Sequence, residues 1–392
     1  MYTEKDLSIV IPSYNNLEYL KLLYTSIRQA SKDVELIFYA DGCTDGTGDY
    51  IMNLLDADGN VQSYIQKERV GHTYLYDWGF NKAKRDVIGI LHADMVVHKD
   101  FFKNILKHLN NNTIVCGTCV EPPLHPPGYE KHILDAGMYP HMFSQQRFDD
   151  FCDNRDVDVT QDSIFAPWFV VKEDYFNSVG GHDSIFAPYG YEDCDIFARM
   201  AMAGMTFIQS RDAFVYHFTQ RGHKWTKGVH IENEDYQYQM NHTRKEYIRK
   251  FGTNPLFDEY HSPTPAHKYD IGIVLSNLNE GVLHAIEPHF STLYIDTDLE
   301  FVQRYLDKEK SFVDIRNKIK SLTDTKDNDI LVDYTAPQMT QQDFQLLTQL
   351  PQIIQQQGEV GQFELYNNIK LTINRLQNET IRVQEPRSYQ TD

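Results

Sequence analysis

The chain has 392 residues, is 41% hydrophobic and 13% aromatic, and can bury a large core, with a length that suggests two domains. Its formal charge of -19 argues against nucleic acid as a partner held through a general basic surface, and means that a phosphate-bearing ligand would need local cations, of which a divalent metal is the obvious candidate. No run is apolar enough for a membrane span, the start Met1-Tyr-Thr-Glu-Lys-Asp6 lacks the features of a signal peptide, and Cys43, Cys116, Cys119, Cys152 and Cys194 are too sparse for a disulfide framework, so a cytoplasmic protein with reduced thiols is expected.

In chain order, Leu7–Pro12 predicts a strand, Leu17–Ala30 a helix and Val34–Tyr39 a second strand. Asp41-Gly-Cys-Thr-Asp-Gly-Thr47 is a turn that caps a helix over about Gly48–Leu55. A strand near Val61–Ile65, a helix near Tyr74–Lys84 and a strand at Val87–Leu91 continue the alternation, which predicts an α/β fold with a mostly parallel central sheet and ligands at the carboxyl ends of its strands. Between Cys116 and about His230 the chain is rich in Pro, Gly and aromatics, as suits acceptor-binding loops. A charged helix is predicted from Asn233 to Phe251, then a Pro-containing linker, and beyond a boundary near residue 266 a smaller C-terminal α/β domain: strands at Tyr269–Leu275, Thr292–Asp296 and Asp329–Tyr334, and a glutamine-rich helix over Gln338–Gln357. The domains are thus expected at 1–266 and 267–392.

Three acidic or histidine-containing sites stand at strand ends or helix starts. Asp41 follows the second strand, where a carboxylate can accept a hydrogen bond from a nucleobase, beside backbone groups of Pro12, Ser13 and Tyr14; as Asp-Gly it is also an ordinary turn residue. His92-Ala93-Asp94 ends the most apolar strand; residues two apart point the same way, so His92 and Asp94 can share one divalent cation, unless they merely cap a helix. Glu192-Asp193-Cys-Asp195 opens a helix, whose N-terminus stabilises carboxylates; the plain alternative is N-terminal acids without chemistry. His217 ends a strand-like run from Ala213 and gains meaning only in company.

Taken together, these segments resemble the family 2 inverting glycosyltransferases with the GT-A fold, over about residues 6–220. Ser8-Ile-Val-Ile-Pro-Ser-Tyr-Asn15 resembles the family's first strand and nucleotide loop, Asp41-Gly-Cys-Thr-Asp-Gly-Thr47 its second-strand signature with Ala40 in place of the first acid, and Arg69-Val-Gly71 a segment whose basic residue approaches the nucleotide. Leu91-His-Ala-Asp-Met95 occupies the Asp-X-Asp position, Val179-Gly-Gly-His-Asp183 with Gly190–Asp195 the acceptor-side motif, and Val215-Tyr-His217 a tail motif whose His is a metal ligand in many relatives. The resemblance implies a GT-A (Rossmann-like) nucleotide-sugar-binding domain and transfer of a sugar from a nucleotide-diphosphate sugar, UDP-linked by expectation, to a hydroxyl of a glycan or other acceptor. Asp193 would be the catalytic base. Asp94, His217 and His92 would hold the metal, manganese favoured over magnesium because of the imidazoles. Pro12, Ser13, Tyr14, Asp41, Arg69 and Ala93 would bind the nucleotide, and Glu192 and Trp168 the acceptor, Trp168 by stacking on a sugar ring. The competing readings are a nucleotidyltransferase, disfavoured by the absence of a Gly-rich basic loop after the first strand, and a non-catalytic nucleotide- or carbohydrate-binding protein on a decayed transferase fold.

Overall fold

The computed structural model describes all residues except 156–159, 162, 220–224, 227–228, 233, 335–338, 367–368 and 387–392, and only the backbone of 161, 225–226 and 229–232. Asn233 and Gln338, with which two predicted helices begin, lie outside the described residues. The chain divides into two compact units, one formed by Met1–Met240, Phe257–Thr264 and Val383–Asp392, the other by Asn241–Leu256 and Pro265–Arg382.

The first unit opens with the expected alternation: β1 (Leu7–Ser13), α1 (Leu17–Ala30), β2 (Glu35–Asp41), α2 (Thr47–Ala57), β3 (Val61–Gln66), α3 (His72–Lys82) and β4 (Val87–Ile90). There follow β5 (Met95–Val97), α4 (Phe101–Leu106), β6 (Thr113–Glu121), β7 (Lys131–Ile133), α5 (Gln145–Asp153), β8 (Thr160–Gln161), β9 (Trp168–Val171), α6 (Lys172–Val179), α7 (Glu192–Met202) and β10 (Thr206–His217). The sheet runs β3-β2-β1-β4-β9-β6-β10-β5, with β7 beside β6 and β8 beside β10. β1, β2, β3 and β4 pair in parallel, as do β6 and β10, whereas β9 runs antiparallel to both its neighbours and β5 antiparallel to β10.

Side-chain alternation explains why β1 and β2 are uninterrupted apolar runs. Ile9, Ile11, Leu36 and Phe38 pack against Leu20, Leu23, Ile51 and Phe102 on one face, while Val10, Ile37 and Tyr39 pack against Leu75, Phe80, Tyr175 and Phe197 on the other. A strand covered by helices on both sides needs no polar face. Polar side chains of these strands therefore gather at strand ends, where Ser13, Asp41, His92, Asp94, Glu121 and His217 all sit.

Helix α8 (Glu234–Phe251) begins in the first unit and ends in the second. The second unit is a six-stranded sheet. Its parallel core is built from the strands Ile319–Ser321, Thr292–Ile295, Ile271–Leu275 and Ile330–Tyr334, and an antiparallel pair, Ile369–Ile373 and Gly361–Glu364, completes it. The single helix expected over Gln338–Gln357 is two, Gln341–Thr348 and Leu350–Gln357, because Pro351 cannot supply the N–H that would continue the first. The buried guanidinium of Arg249 in α8 pairs there with Glu246, Glu287 and Glu309.

Candidate active site

At the ends of β1 and β2, two loops are laced together. The amide Oδ1 of Asn15 accepts from the Thr44 N–H at 2.8 Å, and Asp45 accepts from the Leu17 N–H at 3.0 Å. Asp41, the last residue of β2, is 3% exposed; its two oxygens accept from the N–H groups of Val70 at 2.7 Å and Gly71 at 3.0 Å. Burial raises the Asp41 pKa, and these two N–H groups oppose the rise. Asp41 thus holds the 69–71 loop in place. Gly71, with φ +92°, must be glycine, since a Cβ there would lie 2.1 Å from the Pro188 carbonyl oxygen.

The loop carries Arg69, whose guanidinium lies 4.1 Å from the ring centre of Tyr14 and 4.9 Å from that of Tyr189. Its Nε is buried with no hydrogen-bond partner among the described residues. Two aromatic faces fix the cation without neutralising it, and the guanidinium also hydrogen-bonds to the Tyr189 hydroxyl.

At the end of β4 the chain turns through His92-Ala93-Asp94 into β5, with the Met95 N–H donating to the His92 carbonyl at 3.2 Å. β5 pairs antiparallel with β10 so that His217 stands opposite Met95, and the Phe218 N–H donates to the Asp94 carbonyl at 3.0 Å. This pairing carries a histidine from more than a hundred residues away onto the turn. One ligand atom from each of His92, Asp94 and His217 lies within 4.8 Å of the others. His217 Nε2 is 3.5 Å from Asp94 Oδ1, and its Nδ1 is 3.3 Å from Glu121 Oε1 at the end of β6; Glu121 also accepts from Lys131 Nζ at 2.9 Å.

The donor set fits a divalent transition ion. Burial and the neighbouring His217 bring His92 down to about 4, which leaves a neutral imidazole with a free lone pair. Burial by itself would raise Asp94, but the charge of His217 outweighs it and holds the carboxylate at about 2. Burial would lower His217, and Asp94 with Glu121 outweighs that, raising it to about 10. The Glu121 carboxylate behind His217 is the outer partner that commonly orients a metal-bound imidazole.

The third element is the N-terminus of α7. Gly190 and Tyr191 both adopt left-handed φ, +100° and +63°, and throw Glu192 and Asp193 into the first turn. Glu192 Oε1 lies 2.6 Å from His72 Nε2, and Oε2 accepts from the Gly190 N–H. Burial would raise Glu192, but the His72 charge prevails and lowers it to about 2; His72 is raised in turn, the pull of Glu192 outweighing its burial. Asp193 accepts from the Cys194 N–H at 2.7 Å and from the Cys194 thiol. Although its side chain opens to water in the cavity, dense protein on its other sides and the adjacent Glu192 charge push it up to about 6.

Groups from all three elements line one cavity of about 320 Å³ in the first unit, a volume typical of small-ligand sites, with Glu121 outside its wall. Pro12, Ser13, Tyr14, Asp41 and Arg69 belong to its wall, as do His92, Ala93, Asp94 and His217, and Glu192 and Asp193. Every residue expected at the site from the sequence is brought to it, but three behave differently from expectation, the first being Asp41, whose two oxygens are taken by the N–H groups of Val70 and Gly71. Trp168 is only 1% exposed in β9, packed against Phe80, Tyr175 and His182, so it has no free face on which a sugar ring can stack. Glu192 has both oxygens engaged within the protein, and what it does is charge His72 and raise Asp193. Three contributors went unrecognised in the sequence, His72, Glu121 and His182; a histidine directly after Gly71 and another in Gly180-Gly-His182 were the available signals.

Residues 8–166 match the sequence model described as glycosyl transferase family 2. An uncharacterized glycosyltransferase of Bacillus subtilis (strain 168), YfnE, is 26% identical over 251 residues, 54% of this chain and 64% of the relative. Glycosyltransferase GlyA of Streptococcus pneumoniae serotype 4 is 24% identical over 110 residues, 28% of this chain and 16% of its own length. The chain therefore spans less than two thirds of these relatives. Among solved structures, a mannosyltransferase from Pyrobaculum calidifontis in complex with GDP-Man and Mn2+ superimposes over 62% of this chain and 63% of its own, with 15% identity and a TM-score of 0.42.

Proposed function

We propose, from the match of residues 8–166 to the glycosyl transferase family 2 model, that this chain moves a sugar from a nucleoside-diphosphate donor to an acceptor hydroxyl, with inversion at the anomeric carbon and Asp193 as general base. The observation that carries the reading is that a single cavity holds both an aspartate raised to about 6 and, on the same wall system, the His92–Asp94–His217 ligand set. A base works best when its pKa lies near the working pH, and Asp193 would take the proton of the acceptor hydroxyl as that oxygen bonds to the anomeric carbon. The bond from carbon to the diphosphate oxygen breaks on the opposite face, and its electron pair leaves with the diphosphate.

Charge balance supports a metal. Of the described residues lining the cavity, Arg69 is the one Lys or Arg and His72 and His217 are raised toward the charged form, against the four carboxylates Asp41, Asp94, Glu192 and Asp193, so a diphosphate would still meet a net negative wall. When bound by His92, Asp94 and His217, a divalent cation would neutralise charge developing on the leaving diphosphate. Manganese suits two imidazoles and a carboxylate better than magnesium does. Arg69, held between Tyr14 and Tyr189, would bind the nucleotide moiety beside Asp41, and a UDP-linked sugar is the proposed donor.

Incubation with Mn2+ and UDP-glucose, UDP-galactose, UDP-N-acetylglucosamine or GDP-mannose should release nucleotide from at least one of them; no release from any would overturn the reading. Activity should also carry an acid limb. Since Asp193 must be ionised to accept a proton, kcat/KM should fall about tenfold per unit as pH drops below about 6 and level off above it. A profile flat between pH 5 and 7 would remove Asp193 from the role of base. Glu121→Gln, which removes the carboxylate at His217 Nδ1, should weaken Mn2+ binding by ~10–100-fold in a calorimetric titration, and unchanged affinity would show that Glu121 does not support the ligand.

A further inference from the structure

The wall of the cavity contains one histidine that the reaction as described leaves idle, His182, and a buried carboxylate stands behind it. Asp77, on the inner face of α3, has a side chain 1% exposed, and a carboxylate buried so deeply costs more than an apolar residue of similar size unless it is fully paired. It is fully paired. Oδ1 accepts from the Tyr175 hydroxyl at 2.8 Å and lies 2.9 Å from His182 Nδ1, and Oδ2 accepts from the His182 backbone N–H at 2.8 Å. Gly181, with φ +151°, makes room for it, since a Cβ there would sit 2.5 Å from Asp77 Oδ2.

Three consequences follow for His182. A carboxylate can only accept, so the nitrogen facing Asp77 carries the hydrogen and Nε2 is the ring's outward position. Ring rotation is blocked by Tyr76 and Trp168, with centroids at 5.4 and 6.3 Å. Nε2 has no hydrogen-bond partner among the described residues, yet it is not sealed off, and His182 lines the same cavity as Asp193. So little of the ring is open, 2% of the side chain, that it can offer a single atom and no stacking surface.

We infer that His182 reads one hydroxyl of the sugar bound in this cavity through Nε2, and that Asp77 and Tyr175 are positioning residues that aim it. A sugar hydroxyl both donates and accepts, which matches a lone, rigidly held imidazole nitrogen better than a phosphate or a carboxylate would. The inference rests on the transferase reading. The hydroxyl belongs either to the transferred sugar or to the acceptor, and the two are separable by experiment.

Wild type, His182→Phe, His182→Gln and His182→Asn are to be compared with the same four sugar nucleotides and Mn2+, with and without methyl glycosides as acceptors, and UDP affinity measured by calorimetry. His182→Phe should bind UDP as wild type does but lose tenfold or more in kcat/KM, or in preference between UDP-glucose and UDP-galactose, because the hydroxyl is left unpaired. His182→Gln, whose amide reaches about as far as Nε2, should restore part of the loss, and the shorter His182→Asn should not. A loss already present in acceptor-free hydrolysis assigns the hydroxyl to the donor sugar; a loss confined to transfer assigns it to the acceptor. If His182→Phe keeps wild-type turnover and preference, or if His182→Asn performs as His182→Gln does, the inference is overturned while the transferase reading stands. Absence of nucleotide release by the wild type overturns both.

Discussion

Asp193→Asn is expected to lower the rate of transfer by ~10²–10⁴-fold, the usual contribution of a general base, while UDP binding in the presence of Mn2+ stays within about twofold of wild type. Asparagine keeps the shape of the side chain and an oxygen that can accept from the Cys194 N–H, so what is lost is the negative charge and with it the capacity to take a proton. The same substitution distinguishes chemistry from misfolding. The pKa of Asp193 in the folded protein, about 6, lies above its ordinary value of 3.8, so the group favours folding when protonated, and that contribution disappears as pH rises through this window. At neutral pH the ionised carboxylate beside Glu192 is therefore a burden on the fold. Asp193→Asn should accordingly melt at the same temperature as wild type or higher above pH 6. A variant that transfers sugar at the wild-type rate would falsify the assignment of the base.

The parts of this architecture that could be read from residues alone are those governed by local pattern. β1 through β4 with the helices between them follow from apolar runs, amphipathic stretches and Asp-Gly turns, each a signal contained within about a dozen residues. Asp41, His92, Asp94 and Asp193 stand at strand ends or a helix start, and their gathering in one cavity follows from a sheet whose ligands lie at its carboxyl edge. What stayed hidden depends on long-range pairing. β9 inserts antiparallel between β4 and β6, and no periodicity in Trp168-Phe-Val-Val171 announces those partners, so Trp168 reads as a binding aromatic when it is a core residue. Glu121 ends a strand that looks purely structural until β10 delivers His217 beside it. His72 and His182 become meaningful only when α7 and α3 set carboxylates against them.

The site also shows how charges of one sign are kept apart in function. Glu192 and Asp193 are neighbours at a helix N-terminus that would stabilise both as anions. His72 singles out Glu192, and the negative charge it fixes there raises Asp193. The two carboxylates are thereby driven apart in their titration, Glu192 to about 2 and Asp193 to about 6, and their proton equilibria belong to the pair. The same economy appears at β4, where His92 is held neutral while His217, paired with two carboxylates, carries charge in the absence of an ion.

Removing the carboxylate of the ligand set should have the second large effect. In Asp94→Ala, UDP affinity measured with Mn2+ should fall to the level measured with chelator, and transfer should drop by ~10³-fold or more, since charge stabilisation at a leaving diphosphate is worth several kcal/mol and each 1.36 kcal/mol is a factor of ten. Asp94 is the one anionic member of the set, and without it two imidazoles must bind a hard divalent ion unaided, one of them still drawn toward Glu121. The backbone at this position should survive, because the Phe218 N–H donates to the Asp94 carbonyl oxygen and not to its side chain. Metal-free nucleotide binding, carried by Arg69 and the loop that Asp41 holds, should then be unchanged, so that the variant loses the increment due to Mn2+ and nothing else. Asp193→Asn is expected to show the reverse pattern, keeping the Mn2+ increment in binding and losing the rate. If Asp94→Ala retains the wild-type dependence of UDP affinity on Mn2+, the cation is held elsewhere and the His92–Asp94–His217 set is not its site.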